Sequence, residues 1–129
     1  MDQPISQFMT RTVVTVASEQ TAQQVEDLLN EHSLSAVPVV DDRGAVFGII
    51  SAADMLHLHA AKKNLRAVRA WELCTYRPFV VGPATPAGEV ASLMVKHRIH
   101  HVPVVDQGKL CGIVSALDFV EQFALKNVA

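Results

Sequence analysis

The sequence contains one short motif twice, as GIISAAD at residues 48–54 and as GIVSALD at residues 112–118. In each copy a glycine and an apolar pair precede a serine, and an aspartate follows that serine three positions later. The apolar residues before the serine are typical of a strand, and the residues after it are typical of a helix. Each copy therefore predicts a junction at which a strand ends and a helix begins.

The repetition extends well beyond this motif. Residues 9–41 align with residues 74–106 at an offset of 65, and residues 44–56 align at an offset of 64. Of the 46 aligned positions, 17 are identical, and the segment VPVVD occurs in both copies. The offset changes within a stretch of aspartate and glycine that is typical of a tight turn, where chain length varies at little cost. The chain is therefore an internal duplication.

Both copies predict the same order of elements. A β-rich stretch, at 13–16 or 79–81, precedes a helix whose apolar residues are spaced three and four apart. Two short β-branched strands joined by a tight turn follow, and the last element is the helix after the repeated serine. The proline in VPVVD predicts that the first of these strands lies at a sheet edge or starts at the proline. The predicted order is β-α-β-β-α in each copy.

This order predicts an α/β (α+β) fold made of two repeats. A unit of about 50 residues leaves too much surface in water to bury a sheet and two helices alone. We therefore expect the two copies to pack as a pseudo-two-fold sandwich. The predicted domains are residues 1–61 and residues 74–129, and the helix formers in residues 62–73 predict a helical connector.

Composition excludes several classes of protein. With 11 basic and 13 acidic residues the net charge is -2. The chain therefore has no cluster of basic residues that would bind nucleic acid and no run of lysines that would bind an anionic membrane. No apolar run approaches the ~20 residues that span a bilayer, and the first residues lack a signal-peptide pattern. The two cysteines have no CxxC or Cys/His spacing for a disulfide or zinc site. We expect a soluble, cytoplasmic protein.

The repeated serine and aspartate have two interpretations from the residues alone. Ser51 with Asp54, and Ser115 with Asp118, have the spacing of a capping box that holds the first turn of a helix. Alternatively, the amides at a helix start favour phosphate, a serine hydroxyl can donate to a phosphoryl oxygen, and a carboxylate can accept two hydrogen bonds from a ribose diol. The preceding glycines allow a backbone or a ligand to approach closely.

The block formed by VPVVD, a hairpin and G-h-h-S-x-x-D, where h is apolar, resembles the CBS domain, named after cystathionine beta-synthase. Two copies resemble a tandem CBS pair from about Phe8 to about Phe123. The resemblance implies a stand-alone regulatory module, not an enzyme, that binds AMP, ADP, ATP or S-adenosylmethionine in clefts between the two domains. Such a module signals to a partner by a conformational shift. The adenosine compound is then a regulatory ligand, and no resident cofactor is expected.

The resemblance also implies roles for particular residues. The aspartates would hold ribose hydroxyls, the serines would face the phosphate, and backbone groups near the first strands and ahead of the prolines would line the adenine. In the second copy a histidine falls where nucleotide-sensing members, including the gamma subunit of AMP-activated protein kinase, place a phosphate-contacting histidine. The implied ligand-binding residues are Ser51, Asp54, Ser115, Asp118, His100, Val14, Phe79, Val37 and Val102.

The two implied sites are not equivalent. His100 is flanked by Arg98 and His101, which gives the second copy a cationic corner. The first copy has Ser35 at the position of His100. We therefore expect the second copy to hold a phosphate more strongly.

The expected partners are an adenosine-type small molecule, an effector protein that the sequence does not identify, and a second copy of the chain. A homodimer is implied by the resemblance, and exposed apolar residues on the short end helices would form its contact surface. No contact with nucleic acid or membrane is expected. The predicted contact residues are Leu56, Phe119, Val120 and Phe123.

Three other functions compete with this interpretation. A ligand-free dimerisation module would need the serines and aspartates only as helix caps. A metal site among the six histidines is disfavoured because His57 and His59 are two apart on a predicted helix and point away from each other. No catalytic residues are expected, since the sequence has neither a G-x-S-x-G elbow nor a G-x-x-x-x-G-K-[ST] loop.

Overall fold

The computed structural model describes residues 1–128. The chain forms two compact units. The first-repeat unit is Val14–Pro78, and the second-repeat unit combines Met1–Val13 with the chain from Phe79 onward. A 3₁₀ turn covers Ile5–Gln7, and the other elements, in chain order, are β1 (Val16–Ala17), α1 (Ala22–Glu31), β2 (Ala36–Val40), β3 (Val46–Ser51), α2 (Ala52–Ala60), α3 (Ala70–Leu73), β4 (Thr75–Tyr76), α4 (Ala87–His97), β5 (His101–Asp106), β6 (Lys109–Ser115) and α5 (Ala116–Val128).

The first-repeat unit contains a four-stranded sheet in the order β1-β2-β3-β4. β1 runs parallel to β2, and β3 runs antiparallel to both of its neighbours. The predicted tight turn joins β2 to β3: Gly44 has a φ of 81°, and the Asp41 carboxylate accepts the amides of Arg43 and Ala45 at 2.8 and 3.0 Å. The side chain of Asp41 thus fixes the register of the hairpin.

The second-repeat unit has the same pattern in reduced form. β5 and β6 form an antiparallel pair, joined by a turn at Gln107 and Gly108. Val81 forms a parallel bridge to Val104 on one side, in the place that β1 takes in the first-repeat unit. On the other side Thr10 forms an antiparallel bridge to Ile113, in the place of β4. Both copies therefore follow the predicted β-α-β-β-α order, and the mixed α/β fold with two repeats is confirmed.

The predicted first strands are shorter than expected. Instead of residues 13–16 and 79–81, the structure has the two residues of β1 and the single bridge at Val81. Pairing with the neighbouring strand begins only beyond the proline, at Val39. Val14, which precedes β1, is instead half-buried against the core.

The predicted position of the proline was wrong in the first repeat, whereas in the second repeat Pro103 lies in β5 of a two-stranded sheet. Pro38 lies inside β2, which is a central strand. The proline is tolerated because β1 pairs with β2 only from Val39 onward, so no parallel partner needs the missing amide. In the second repeat, Pro103 contributes its carbonyl instead and accepts the Val81 amide at 3.2 Å.

Each unit has its own aliphatic core. The predicted stripe of α1 is confirmed: Val25 and Leu29 are buried, and Leu28 is half-buried against them. On α4 the equivalent stripe buries Val90 and Met94. These helix faces pack with the buried valines of β2 and β5. Ile50 of β3 and Val114 of β6 belong to the same clusters, so the strands that end at the repeated serines are anchored in the core.

The segment that opens each repeat packs in the unit of the other repeat. Thr75 of β4 pairs with Ile49 in the first-repeat unit, and Thr10 pairs with Ile113 in the second-repeat unit. The boundaries predicted from sequence, 1–61 and 74–129, therefore divide the chain at different points from the units in space. The limits of the sequence repeats therefore differ from those of the spatial units. The segments around Thr10 and Thr75, each of which opens one repeat and packs in the unit of the other, are called the exchanged opening segments.

The segment predicted as a helical connector, residues 62–73, is not a continuous helix. Only Ala70–Leu73 is helical, and Lys62 has a left-handed φ of 54°. The reason lies in packing: Leu65 and Ala70 are buried in the core of the first-repeat unit, and a straight exposed helix could not place them there. Among residues 1–128, none of the helices combines the length and apolar content that crossing a bilayer requires.

Candidate ligand-binding sites

The predicted junction between strand and helix is present in the first-repeat unit. β3 ends at Ser51 and α2 starts at Ala52. The Ser51 amide donates to Oδ2 of Asp54 at 2.8 Å, and the Asp54 amide donates to Oγ of Ser51 at 3.3 Å. These reciprocal bonds are a capping box, so the structural interpretation of Ser51 and Asp54 is confirmed.

The second-repeat unit repeats this geometry. The Ser115 amide donates to Oδ2 of Asp118 at 2.7 Å, and the Asp118 amide donates to Oγ of Ser115 at 3.2 Å. In the first repeat the Ser51 hydroxyl also donates to Oδ2 of its aspartate at 3.1 Å, a bond that Ser115 does not make within residues 1–128. In both repeats the cap uses Oδ2 of the aspartate.

The amides at these helix starts are less available than the sequence suggested. The Ala52 amide donates to the Ser35 carbonyl at 2.8 Å, and the Ala116 amide donates to the His100 carbonyl at 2.8 Å. Together with the capping box, these bonds satisfy most amides that a helix start normally leaves unpaired. Recognition of a phosphate would therefore depend mainly on side chains. Sequence reasoning missed these carbonyl caps because a backbone acceptor has no side-chain signature.

The repeated glycines accommodate the protein itself. A Cβ on Gly48 would lie 2.5 Å from Sγ of Cys74 and 2.8 Å from the Thr75 carbonyl oxygen. A Cβ on Gly112 would collide with the Met9 side chain and lie 3.1 Å from the Thr10 carbonyl oxygen. Of the two possibilities left open by the sequence, backbone or ligand, the structure shows the close approach of the exchanged opening segments.

The residues predicted to line the adenine differ in what they expose. The side chains of Val37 and Val102 are fully buried in the two cores, so only their backbone groups can face a ligand. β1 does not cover the edge of β2 ahead of Val39, which keeps the Val37 backbone uncovered by that strand. Phe79 is 46% exposed and stacks on the His97 ring at 4.1 Å between centroids.

Two of the histidines of the second repeat lie at the start of β5: His100 precedes the strand, and His101 is its first residue. His100 is exposed, whereas His101 is half-buried and is the Cα partner of Ser115 in the ladder. Burial lowers the pKa of His101, the neighbouring His100 lowers it further, and the Asp118 carboxylate acts in the opposite direction. Sequence reasoning treated His101 only as a neighbour of His100 and missed its proximity to Asp118.

Among residues 1–128, the cysteines, the potential metal ligands and the recess near β1 add no further candidate site to the two helix starts. Among the described residues, no three histidine, cysteine, aspartate or glutamate side chains lie together as a metal would require. Both cysteines are free. Burial is the main factor that raises the pKa of the Cys74 and Cys111 thiols, so neither is activated as a nucleophile. A shallow recess of about 390 Å³ at the ends of β1 and β2 is lined by none of the predicted site residues.

The predicted dimer surface is partly available. Leu56, Val120 and Phe123 are 66%, 59% and 70% exposed. Phe119 differs from the prediction, because its ring packs edge-on against Phe8 at 5.9 Å between centroids within the second-repeat unit. The prediction that Phe119 contacts a partner is therefore corrected, because the residue is half-buried against the core of the second-repeat unit.

Comparison with known families agrees with this arrangement. The family model of the CBS domain matches residues 5–61 and residues 70–125. The chain belongs to the CBS domain family. Each match includes an exchanged opening segment, since the first begins at Ile5 in the 3₁₀ turn and the second at Ala70 in α3.

Two curated relatives illustrate the range of proteins that contain this pair of domains. Inosine-5'-monophosphate dehydrogenase of Korarchaeum cryptofilum is 32% identical over 112 residues, which cover 86% of this chain but 22% of the dehydrogenase. CBS domain-containing protein YhcV of Bacillus subtilis is 29% identical over 114 residues, covering 88% of this chain and 81% of YhcV. The chain thus spans about a fifth of the length of the dehydrogenases that it matches.

Solved structures of CBS pairs have the same fold. The CBS domain pair of protein MJ0100, in complex with 5'-methylthioadenosine and S-adenosyl-L-methionine, has a TM-score of 0.89 at 26% identity and covers 98% of this chain and 99% of its own. CBSX2 in complex with AMP has a TM-score of 0.85 at 27% identity, with 98% of this chain and 99% of that chain covered.

Proposed function

We propose that this chain is a regulatory module that binds an adenosine-type ligand at the starts of α2 and α5. The observation that carries the proposal is the duplicated capping geometry of Ser51–Asp54 and Ser115–Asp118 in a CBS pair. The similarity to CBS pairs in complex with AMP, 5'-methylthioadenosine and S-adenosyl-L-methionine supports it.

The capping role and the ligand role are compatible. Oδ2 of each aspartate is held by a serine amide, which fixes the carboxylate at the strand end. Fixing one oxygen reduces the entropy that the carboxylate loses when the other oxygen accepts a ribose hydroxyl. The adenine would contact backbone groups near Val14 and Val37 in the first repeat, and near Phe79 and Val102 in the second.

The second repeat is the stronger candidate for a ligand that bears a phosphate. His100 is exposed next to the start of α5, and Arg98 is exposed two residues earlier. The equivalent residues of the first repeat are Ser33 and Ser35, which carry no charge. Cationic donors strengthen hydrogen bonds to phosphate oxygens, so the two sites should differ in ligand preference.

The regulatory output would pass to an effector protein, and the module itself has no catalytic role in this proposal. No resident cofactor is involved, and the protein acts in the cytoplasm. The exposed Leu56, Val120 and Phe123 support a homodimer as the form that reports ligand binding. A ligand can transmit a signal only if it binds one conformation of the module more tightly than another.

A thermal-shift titration with AMP, ATP and S-adenosylmethionine tests the binding proposal. A ligand at 100 times its Kd should stabilise the fold by ~2.7 kcal/mol. The variant Asp118→Asn keeps an oxygen that can accept the Ser115 amide but lacks the charge. We expect this variant to keep its melting temperature to within a few degrees and to lose most of the shift caused by AMP.

The alternative is a ligand-free dimerisation module, which the complete capping boxes favour because they account for Ser51, Asp54, Ser115 and Asp118 without a ligand. In that case no adenosine compound would change the melting temperature. Asp118→Asn would then act only through the helix cap, at a cost of about 0.5–2 kcal/mol in stability.

A further inference from the structure

Two histidines lie beside the start of α5, and the start of α2 has no histidine at the equivalent positions. His101 is the Cα partner of Ser115, and the His100 carbonyl accepts the Ala116 amide at 2.8 Å. In the first repeat the residues at these two histidine positions are Ser35 and Ala36. The same backbone geometry therefore holds two imidazoles next to one candidate site and none next to the other.

The charge on His101 is set by its surroundings. Its ring is half-buried, and burial is the main factor that lowers its pKa. His100, the residue before the strand, opposes the charged form, and on α5 the Asp118 carboxylate favours it. The end of α4 adds the exposed cations Lys96 and Arg98 to the same region of the chain. Near neutral pH, His101 is therefore mostly uncharged in the free protein.

We propose that a phosphate-bearing adenosine ligand binds at the start of α5 together with a proton taken up by His101, so that pH regulates this site. This inference rests on the proposed function. It adds that the two sites respond differently to pH, because the first repeat has Ala36 where the second has His101.

The direction of the effect follows from linkage between proton and ligand. A phosphate dianion brought close to His101 favours the imidazolium, so the pKa of the ring rises when the ligand binds. A group with a higher pKa in the complex than in the free protein takes up a proton on binding. The proton comes from the solvent and its buffer. Affinity for the ligand should therefore increase as the pH falls from 8.0 toward 6.5.

Calorimetric titration of the full chain with AMP tests the proposal. The titration is performed at pH 7.0 in two buffers of different ionisation enthalpy. If the complex takes up a proton from the buffer, the observed binding enthalpy should be more positive in the buffer with the larger ionisation enthalpy. Adenosine has no phosphate and serves as the matched ligand, for which the difference should be absent. His101→Ala introduces the residue of the first repeat, and His101→Gln keeps a polar side chain if the alanine variant does not fold.

The Kd of AMP is also measured between pH 8.0 and 6.5. This measurement must separate the protonation of His101 from that of the phosphate, whose own second ionisation is near pH 6. The ratio of the Kd of His101→Gln to that of the unmodified protein cancels the phosphate contribution. We expect this ratio to rise about threefold to tenfold between pH 8.0 and 6.5, the range in which a histidine changes charge. His57→Ala, which removes an exposed histidine from α2, is the control and should bind AMP with unchanged proton uptake.

The outcomes are distinguishable. Binding of AMP without proton uptake, or with uptake that persists in His101→Gln, overturns the inference and leaves the proposed function in place. If neither AMP nor adenosine binds, the inference fails. The proposed function fails with it only if ATP and S-adenosylmethionine also leave the melting temperature unchanged. Proton uptake with AMP that is lost in His101→Gln and kept in His57→Ala supports both.

Discussion

Gly48 shows how a single missing side chain sets the path of the chain. The Cys74 side chain and the Thr75 carbonyl occupy the space in which a Cβ on Gly48 would lie. β4 can pair with β3 only because Gly48 places no Cβ in this space, and the register Gly48↔Tyr76 depends on it. The sequence predicts that a backbone or a ligand approaches this glycine closely, and the structure shows that the contact between two strands requires it.

Gly48→Ala should lower the free energy of unfolding by about 1–3 kcal/mol, because the backbone of β4 must shift to admit a methyl group. Urea unfolding followed by circular dichroism measures this change. The matched control is Gly82→Ala, where a Cβ would meet its nearest neighbour, Oγ1 of Thr85, at an ordinary 3.9 Å. Adding Cys74→Ala to Gly48→Ala should restore only part of the loss, since the Thr75 carbonyl remains. Equal stability of both glycine variants would contradict the packing argument.

At the scale of elements, both long helices at the start of a repeat are capped by a segment that is distant in sequence. The Ala22 amide of α1 donates to the Val68 carbonyl at 2.8 Å. The amides of Ala87 and Gly88 on α4 donate to the carbonyls of Gln3 and Met1 at 2.8 and 2.9 Å. Thr21 adds a side-chain cap to α1, whereas Pro86 makes no side-chain cap for α4. The start of α4 therefore depends more on its distant partner.

Removal of residues 1–3 should therefore destabilise the start of α4 selectively. We expect the amides of Ala87 and Gly88 to exchange with solvent at least tenfold faster, because their acceptors are lost and no side chain replaces them. The amides of Ala22 and Gln23 on α1, which keep their partners, are the internal control. Hydrogen exchange read by mass spectrometry or NMR makes the comparison. A uniform acceleration in both helices would show that the segment acts on global stability instead.

The difference between local contacts and contacts with segments distant in sequence explains what could be predicted from the sequence. The stripes of α1 and α4, the turn at Asp41 and the Ser51–Asp54 box depend on residues within a few positions of one another, so their spacing is visible in the sequence. The bridge from Thr10 to Ile113 joins residues far apart in the chain, and no local pattern indicates it. At the candidate site the capping serine and aspartate were predictable from their spacing. The carbonyl of Ser35 that accepts the Ala52 amide was not, because backbone acceptors are common to all residues.

On the scale of the whole molecule, the chain contains two repeats whose limits in sequence differ from the units in space. A break at residue 61 would separate α1 and α2 from β4 and from the buried Leu65 and Ala70. It would also separate residues 1–13 from the rest of the unit to which they belong in space. The spatial unit Val14–Pro78 keeps the complete sheet β1-β2-β3-β4 and its core.

Two fragments of similar length therefore should behave differently. We expect residues 14–78 to unfold cooperatively in urea and to give dispersed amide resonances, although a domain of this size is only marginally stable. Residues 1–61 should lack a cooperative transition, because α1 loses the carbonyls that cap it and the core loses Leu65 and Ala70. Ala70→Asp in the longer fragment is the control for burial: a charge at a fully buried position should abolish its transition. A folded 1–61 fragment beside an unfolded 14–78 fragment would mean that the repeat in sequence, and not the unit in space, is the cooperative element of this chain.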